Sequence, residues 1–256
     1  MIYSASRRTD LPAFFPDLTA DRIGRSRRLD AIVFWTRDPT NLIRHPGLRD
    51  AVARYPSIVQ LTVTGLAGTT WEPRVPPPET FLEPLRELAD LLPRGAILWR
   101  FDPVLAVDDI FTRFDAVRQA LAAAIGPVEE TVVSFPTPYG KAVKCARAAG
   151  HPWPNPPMDE RRAIIREMVE RLGGADRTRV WLCCQPEELR LPGTASARCV
   201  DGGRFDRLYG TRLGNLPPDD GQRVGCGCVR STDIGSYELL CRHGCVYCYA
   251  QRRESG

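Results

Sequence analysis

Three cysteines near the C-terminus have the spacing of ligands to an iron–sulfur cluster. Cys241, Cys245 and Cys248 lie in the run CRHGCVYCYA, whose C-x3-C-x2-C spacing places three thiols in one short segment. Thiolates ligate iron–sulfur clusters, and three of them leave one iron of a four-iron cluster without a protein ligand. An open coordination position distinguishes a reactive metal centre from a closed structural one. The pattern therefore predicts a redox-active [4Fe–4S] cluster.

A structural zinc site is the alternative interpretation of the same run. Cysteine and histidine clusters separated by about two to four residues also bind zinc, and His243 lies inside the run. Three thiols with no obvious fourth partner favour an incomplete cluster over closed tetrahedral zinc.

The run resembles the signature of radical S-adenosylmethionine enzymes, including the aromatic Tyr247 directly before the last cysteine. The resemblance implies that the open iron chelates S-adenosylmethionine, and that an electron from the cluster cleaves this cofactor to a 5'-deoxyadenosyl radical. The radical would then abstract a hydrogen atom from the substrate. The resemblance also implies an electron donor such as flavodoxin or ferredoxin. In that superfamily the motif usually follows the first strand, whereas here it lies near the C-terminal end.

A longer resemblance covers nearly the whole chain. Four segments are similar to an uncharacterised bacterial family catalogued as a domain of unknown function, whose members end in this cysteine block. The segments are SASRRTDLPAF at 4–14, IVFWTRDP at 32–39, WRFDPVL at 99–105 and CGCVRSTDIGSYELLCRHGCVYCYA at 226–250. This resemblance implies no substrate.

Length and composition indicate one α/β domain. The chain has 256 residues, of which 43% are hydrophobic, which is enough to bury a core of barrel size. We expect a partial barrel over residues 1–216 and, within the same domain, a cluster-binding segment over residues 217–256. Nine clustered cysteines, an odd number, favour metal ligands in a reducing cytoplasm over disulfides.

The same features bear on the partners. The chain has no leader pattern and no apolar run of about 18 residues, which predicts a soluble protein without a membrane partner. The net charge of +4 gives only weak support for binding nucleic acid. The substrate, a small molecule or a modified macromolecule, is not encoded in any motif.

Short apolar runs alternate with longer amphipathic runs, which is typical of repeated βα units around a parallel sheet. The pattern predicts six strands, and this count matches the partial (βα)6 TIM-like barrel that the radical-enzyme resemblance implies. The predicted strands are Ile2 to Ser6, Ala31 to Thr36, Ile58 to Thr64, Ala96 to Asp102, Thr131 to Phe135 and Arg179 to Cys184.

Each predicted strand becomes polar where it ends, and active sites of βα barrels form at those carboxyl ends. Arg100, Asp102 and Cys184 are therefore candidate catalytic residues. Arg100 and Asp102 have two interpretations, because they would serve equally as ligands of the cofactor or as an ion pair between loops. Candidate cofactor-binding residues at the same ends and beside the cluster are Ser4, Ser6, Arg7, Arg8, Trp35, Thr62 and Tyr247.

A second set of thiols consists of Cys184, Cys199, Cys226 and Cys228. Four thiolates satisfy either an auxiliary iron–sulfur cluster or a closed zinc site. The alternatives are that Cys184 donates a hydrogen atom or acts as a catalytic thiol, and that these cysteines are simply buried small side chains. We interpret Cys145 and Cys183 as packing residues.

These features predict a radical S-adenosylmethionine-like enzyme. The alternative is a non-enzymatic zinc or iron–sulfur module that engages nucleic acid or a protein partner. A metal-dependent hydrolase on a full barrel is disfavoured, because the chain has only His45, His151 and His243 and none ends a predicted strand.

Overall fold

One all-parallel sheet organises the chain. The computed structural model describes residues 1–107, 109–223 and 225–250. Within these residues eight strands pair in the order β7-β6-β5-β4-β3-β2-β1-β8, and every pairing is parallel. The strands are β1 (Ile2–Ala5), β2 (Ala31–Thr36), β3 (Ser57–Thr62), β4 (Ile97–Phe101), β5 (Thr131–Val133), β6 (Val180–Leu182), β7 (Thr194–Ser196) and β8 (Thr232–Asp233).

Helices connect most of the strands, as parallel pairing requires. The α-helices are α1 (Leu11–Phe14), α2 (Pro16–Gly24), α3 (Thr40–Arg44), α4 (Pro46–Arg54), α5 (Leu82–Leu91), α6 (Ile110–Ile125), α7 (Gly140–Ala148), α8 (Met158–Arg171) and α9 (Gly202–Tyr209). Short 3-10 helices occupy Pro78–Thr80, Glu187–Leu189 and Leu213–Asn215.

The six predicted strands are all present, with ends within two residues of the prediction. The count of six is nevertheless wrong, because the described residues also form β7 and β8. These strands read TAS and TD, so they are too short and too polar to give an apolar run or an alternation. Pairing with their neighbours in the sheet, rather than their own composition, makes them strands.

The two faces of the sheet have different neighbours. Phe34, Leu61 and Phe101 lie on the face that packs against the helices, which we call the helical face. Val33 and Ile58 alternate with these residues and lie on the inner face, which packs against Phe205 of α9. Both faces are therefore covered, as is usual for parallel sheets.

Helix α9 covers the amino ends of the central strands. The Tyr209 hydroxyl donates to the carbonyl of Ser57 at 2.6 Å, where β3 begins. The Arg204 guanidinium contacts Glu130, which directly precedes β5, at 3.0 Å. Ligand sites of parallel α/β sheets form at the opposite edge, outside the carboxyl ends of the strands.

The edges formed by β7 and β8 are linked by the residues beside them. The amide of Val229 donates to the carbonyl of Val200 at 3.0 Å, and the amide of Val200 contacts Cys228 Sγ at 3.3 Å. On its other side, β8 continues along β1, because the amide of Ile234 donates to the carbonyl of Ser4 at 2.9 Å. None of the helices in the described part of the chain has the length and apolar character needed to cross a membrane.

Candidate metal centre

The segment that carries the three C-terminal cysteines docks on loops at the carboxyl edge of the sheet. The Thr9 hydroxyl, in the loop after β1, donates to the carbonyl of Leu239 at 2.6 Å. The amide of Val246 donates to the carbonyl of Trp71, in the loop after β3, at 3.0 Å. These bonds connect residues more than 170 positions apart, and they hold the cysteine segment beside the ends of β1 and β3.

Cys241, Cys245 and Cys248, which we call the thiol triad, lie within interacting range of one another. Cys245 interacts electrostatically with both of the other thiols, and Cys241 interacts with Cys248. Gly244 has a φ of 71°, which allows the tight turn between the first two cysteines, and the amide of Cys248 bonds to the carbonyl of Cys245 at 3.0 Å. Burial raises the pKa of the Cys245 thiol to about 12.

His243 lies inside the cysteine run, and its ring nitrogens contact oxygens of other loops. One ring nitrogen, Nε2, is 2.9 Å from Asp10 Oδ2, and the other, Nδ1, is 3.4 Å from the carbonyl oxygen of Arg74. The ring packs edge-on against Phe14 with centroids 4.6 Å apart and is 2% exposed. Both nitrogens therefore have oxygen neighbours, and the histidine anchors the segment to the loops after β1 and β3.

A buried polar network supports the triad from the strand ends. Arg37, the residue after β2, contacts Glu72 Oε1 at 2.9 Å and donates to the Tyr247 oxygen at 2.6 Å. The Tyr247 hydroxyl donates to Glu72, and the Thr64 hydroxyl donates to the same carboxylate at 2.7 Å. Glu72 is 1% exposed, so this carboxylate depends on its three donors.

The network also sets the electrostatics of the triad. Arg37 is close enough to Cys245 to favour its thiolate, which opposes the effect of burial. Burial raises the pKa of Tyr247 well above its usual value, so its hydroxyl stays protonated and donates a hydrogen bond to Glu72. Sequence reasoning missed Arg37 and Glu72. The charge two positions after the apolar run AIVFW was the available signal for Arg37, whereas Glu72 lies in a loop without any such pattern.

A second group of thiols lies on the inner face, and we call it the five-thiol cluster. Cys183 Sγ and Cys199 Sγ are 3.6 Å apart. Cys184 interacts with Cys183 and Cys226, and Cys228 interacts with Cys226 and Cys199, so that the contacts close into a ring. Hydrogen bonds from Cys184 and Cys228 lower the pKa of Cys226. The four sequence-predicted members are therefore brought together.

The fifth member, Cys183, was interpreted as a packing residue, and that interpretation is incomplete. In β6, Val180 and Leu182 lie on the helical face, so Trp181 and Cys183 lie on the inner face. Strict alternation would turn Cys184 toward the helices. Its φ of 47°, unusual for a residue other than glycine, breaks the alternation, and its thiol contacts Cys183 and Cys226.

Arg100 joins this cluster to the centre of the sheet. Its guanidinium donates to Cys199 Sγ at 3.0 Å and to Gln60 Oε1 at 3.3 Å, and it forms an ion pair with Asp102. Asp102 also accepts from the Ser134 hydroxyl. One of the two interpretations of Arg100 and Asp102 was an ion pair, and the structure contains this pair. The contact between Arg100 and the Cys199 sulfur was not predicted.

The chain was compared with protein families and with curated proteins. The family model described as Domain of unknown function (DUF1848) matches residues 20–250. The chain belongs to this family. Among curated proteins no match was found. The DUF1848 match includes every cysteine of both thiol groups, whereas the SASRRTD segment lies before it.

In this DUF1848 protein, two of the predicted cofactor-binding residues are enclosed. Ser4 has no exposed surface, and its oxygen accepts from Trp35 Nε1 at 3.0 Å. Ser6 is 2% exposed, and Gly235 lies so close that a Cβ there would overlap the serine side chain. Trp35 is partly buried on the inner face, between the guanidinium groups of Arg7 and Arg100, each 5.3 Å from the ring centroid.

The remaining candidates lie nearer the surface of the carboxyl edge. Arg8 is within 4.0 Å of Asp233 and stacks over Tyr237 at 4.2 Å. Arg7 is 3.6 Å from Asp219, and Thr62 is the half-buried last residue of β3. Among the residues that the structure describes, no group of three or more histidine, cysteine, aspartate or glutamate side chains is arranged so that it could hold a metal ion as it stands.

Proposed function

We propose that this DUF1848 protein is a radical S-adenosylmethionine-like enzyme whose thiol triad binds a [4Fe–4S] cluster. The observation that carries the proposal is that both ring nitrogens of His243 already face oxygens, Asp10 Oδ2 and the carbonyl of Arg74. Three neighbouring thiols without the histidine between them are the ligand set of a cluster with one open iron. A zinc site that used His243 would have to replace one of these two oxygen contacts.

The fold supports this proposal through the strand order. Sequential pairing from β1 to β7, with β8 beside β1, is the order of strands in a barrel, and we infer that the sheet curves toward closure between β7 and β8. The hydrogen bond between Val229 and Val200 spans the residues beside those two strands. The triad docks at the carboxyl edge, where βα barrels carry their active sites.

The residues of the triad fit a cluster in their chemistry. They are cysteines on a turn-rich segment that is partly buried, and reorientation about their side-chain torsions would turn the sulfurs toward a common ligand. The Arg37 guanidinium lies close enough to Cys245 and Cys241 to offset the negative charge of thiolate ligands. Arg37 is held by Glu72 and Tyr247, so the compensating charge is fixed before any cofactor binds.

When bound, the cluster would supply one electron for reductive cleavage of S-adenosylmethionine, and the resulting 5'-deoxyadenosyl radical would abstract a hydrogen atom from the substrate. In the protein itself, Tyr247 and His243 hold the cysteine segment against the strand ends and limit the access of water from that side. Arg8 and Thr62, which keep partial exposure at this edge, are the proposed contacts to the cofactor or substrate. Ser4 and Ser6 are proposed to shape the loop after β1 from inside.

The proposed enzyme needs a reduced protein partner, such as flavodoxin or ferredoxin, and an organic substrate of unknown structure. The rival function is a zinc or iron–sulfur module that binds nucleic acid or a protein. The two functions differ in one measurable respect, because only the enzyme cleaves S-adenosylmethionine.

The test is anaerobic reconstitution with iron and sulfide, followed by reduction in the presence of S-adenosylmethionine. The proposal predicts about four irons that depend on the thiol triad, visible absorption from the cluster, and release of 5'-deoxyadenosine. Cys241→Ser/Cys248→Ser should abolish 5'-deoxyadenosine release and remove those irons. Cys145→Ser is the matched control, because Cys145 is partly buried on α7 and belongs to neither thiol group.

Stoichiometric zinc in the triad with no cleavage of S-adenosylmethionine would refute the enzymatic proposal and favour the module. The same conclusion would follow if the double variant released 5'-deoxyadenosine as fast as the unmodified protein.

A further inference from the structure

The five-thiol cluster gathers residues from three separate parts of the chain. Cys183 and Cys184 follow β6, Cys199 follows β7, and Cys226 and Cys228 precede β8. Cys199 and Cys228 are 5% and 2% exposed, so the cluster extends into the interior. Small buried side chains often include cysteine, but five thiols that contact one another in a ring need a more specific explanation than packing.

One sulfur–sulfur distance in the ring suits thiolates that share a metal atom. Two sulfurs on one tetrahedral metal with bonds of about 2.3 Å lie about 3.8 Å apart. The observed distance between Cys183 Sγ and Cys199 Sγ is 3.6 Å. A disulfide requires about 2.05 Å, and all five cysteines are free thiols.

Positive charge surrounds these sulfurs. The Arg100 guanidinium donates to Cys199 Sγ at 3.0 Å. Arg223 interacts electrostatically with Cys184 and Cys183, and Arg7 interacts with Cys228. Neutral thiols do not need three guanidinium groups, whereas four thiolates around a metal carry a net negative charge that these groups would balance.

Arg7 supplies an independent observation. Its Nη2 atom is buried and has no hydrogen-bond partner in the described part of the chain. Its Nη1 atom lies 3.6 Å from Asp219, so only one end of the guanidinium faces a carboxylate. A buried donor without a hydrogen-bond partner destabilises the protein. A metal-bound thiolate, such as that of Cys228, would accept a hydrogen bond from this nitrogen.

The backbone of Cys184 points to the same site. A residue other than glycine with a φ of 47° adopts a sparsely populated conformation. This conformation brings the thiol to Cys183 and Cys226, where regular strand geometry would have turned it toward the helices. Such strain at a ligand position is a common property of functional sites.

We propose that four of the five clustered thiols bind a second metal–thiolate centre, separate from the thiol triad, in which Arg100 and Arg7 donate hydrogen bonds to sulfur. Tetrahedral thiolate ligands select zinc or an iron–sulfur cluster, so the ligand class is a thiophilic metal. Binding requires the thiols to turn inward from the ring and to release their protons. The proposal uses none of the triad residues and therefore stands or falls separately from the enzymatic function.

The experiment measures zinc, iron and acid-labile sulfide in protein purified without oxygen. It compares the unmodified chain, an inner variant (Cys199→Ser/Cys228→Ser), a triad variant (Cys241→Ser/Cys248→Ser) and the Cys145→Ser control. The triad variant should keep one thiolate-bound centre, either about one zinc or about two to four irons with sulfide. The inner variant should lose that centre and keep the metal of the triad.

A second measurement does not depend on whether the inner variant folds. In the unmodified protein the clustered thiols should resist alkylation, and a chelator should at least double the number of cysteines from residues 183–228 that react, as read by peptide mass spectrometry. The proposal is wrong if the triad variant contains neither metal, if a folded inner variant keeps the full metal content, or if the chelator leaves the alkylation of these five cysteines unchanged. If the triad binds no metal but the second centre does, the unmodified protein and the triad variant will contain the same amount of metal. That result would refute the proposed function and leave the second centre supported.

Discussion

Replacement of Arg37 by methionine tests whether the buried network at the carboxyl edge holds the cysteine segment in place. Methionine keeps much of the length of the side chain and removes its charge, so Glu72 loses its only ion-pair partner in the network. Glu72 is 1% exposed and would retain hydroxyl donors from Thr64 and Tyr247. Removing one partner of a buried ion pair costs about 3–5 kcal/mol. Because two donors to Glu72 remain, we expect Arg37→Met to lower the free energy of unfolding by about 3 kcal/mol, the lower end of this range.

The assay is equilibrium unfolding of the metal-free protein in urea at neutral pH, which keeps metal binding out of the measured free energy. Arg44→Met is the matched control. Arg44 lies 2.6 Å from Glu87, but the two side chains are 45% and 35% exposed, and an exposed pair contributes at most about 1 kcal/mol.

A double variant separates the ion pair from general packing. If an uncompensated carboxylate causes the loss, Arg37→Met/Glu72→Gln should recover most of the stability that Arg37→Met loses. A cost for Arg37→Met no larger than that of Arg44→Met, or no recovery in the double variant, would refute this account of the network.

Three further predictions concern other contacts. Gly202→Ala should destabilise the protein by about 1–3 kcal/mol in urea unfolding, because a Cβ there would overlap the carbonyl of Leu213. The control Gly24→Ala, which has open space around the new Cβ, should be neutral or slightly stabilising. Tyr209→Phe should reduce the loss of stability at alkaline pH. Burial raises the pKa of Tyr209, so its contribution to stability is complete below about pH 10 and is lost as the pH rises further. An unchanged pH profile of the free energy of unfolding would contradict this. His243→Ala should speed proteolysis within residues 239–250, read by mass spectrometry, and equal cleavage rates would show that the histidine does not anchor the segment.

The sequence was sufficient to predict the strands that have a hydrophobic pattern. β2 has the predicted bounds, and β3 and β4 differ from the prediction by at most two residues, because each contains a short run that is mostly apolar and is followed by polar residues. β7 and β8 carry no such pattern, since their residues are small or polar and their backbone bonds are made by neighbouring strands. Long-range pairing of this kind cannot be inferred from local periodicity.

The proximity of the three C-terminal cysteines could be predicted from the sequence, but the residues around them could not. The spacing of Cys241, Cys245 and Cys248 indicates a metal ligand set without reference to any fold. The contact of His243 with Asp10 depends on how residues 233 positions apart come together, and no local pattern reveals it. Cys183 was missed for a related reason, because the direction of a side chain in a three-residue strand depends on which face the sheet turns toward the helices.

The parallel pairing of β8 with β1 has a consequence for the order in which the protein matures. The edge of β1 next to Tyr3 and Ser4 has no strand beside it until residues 232 and 233 have left the ribosome, by which time most of the chain has been synthesised. Cys226 and Cys228 emerge shortly before those residues, and the thiol triad shortly after them. During translation the nascent sheet therefore exposes an unpaired strand and lacks most of the cysteines of the two thiol groups. The proposed metal centres would therefore be completed only after β8 is available to cover the first strand.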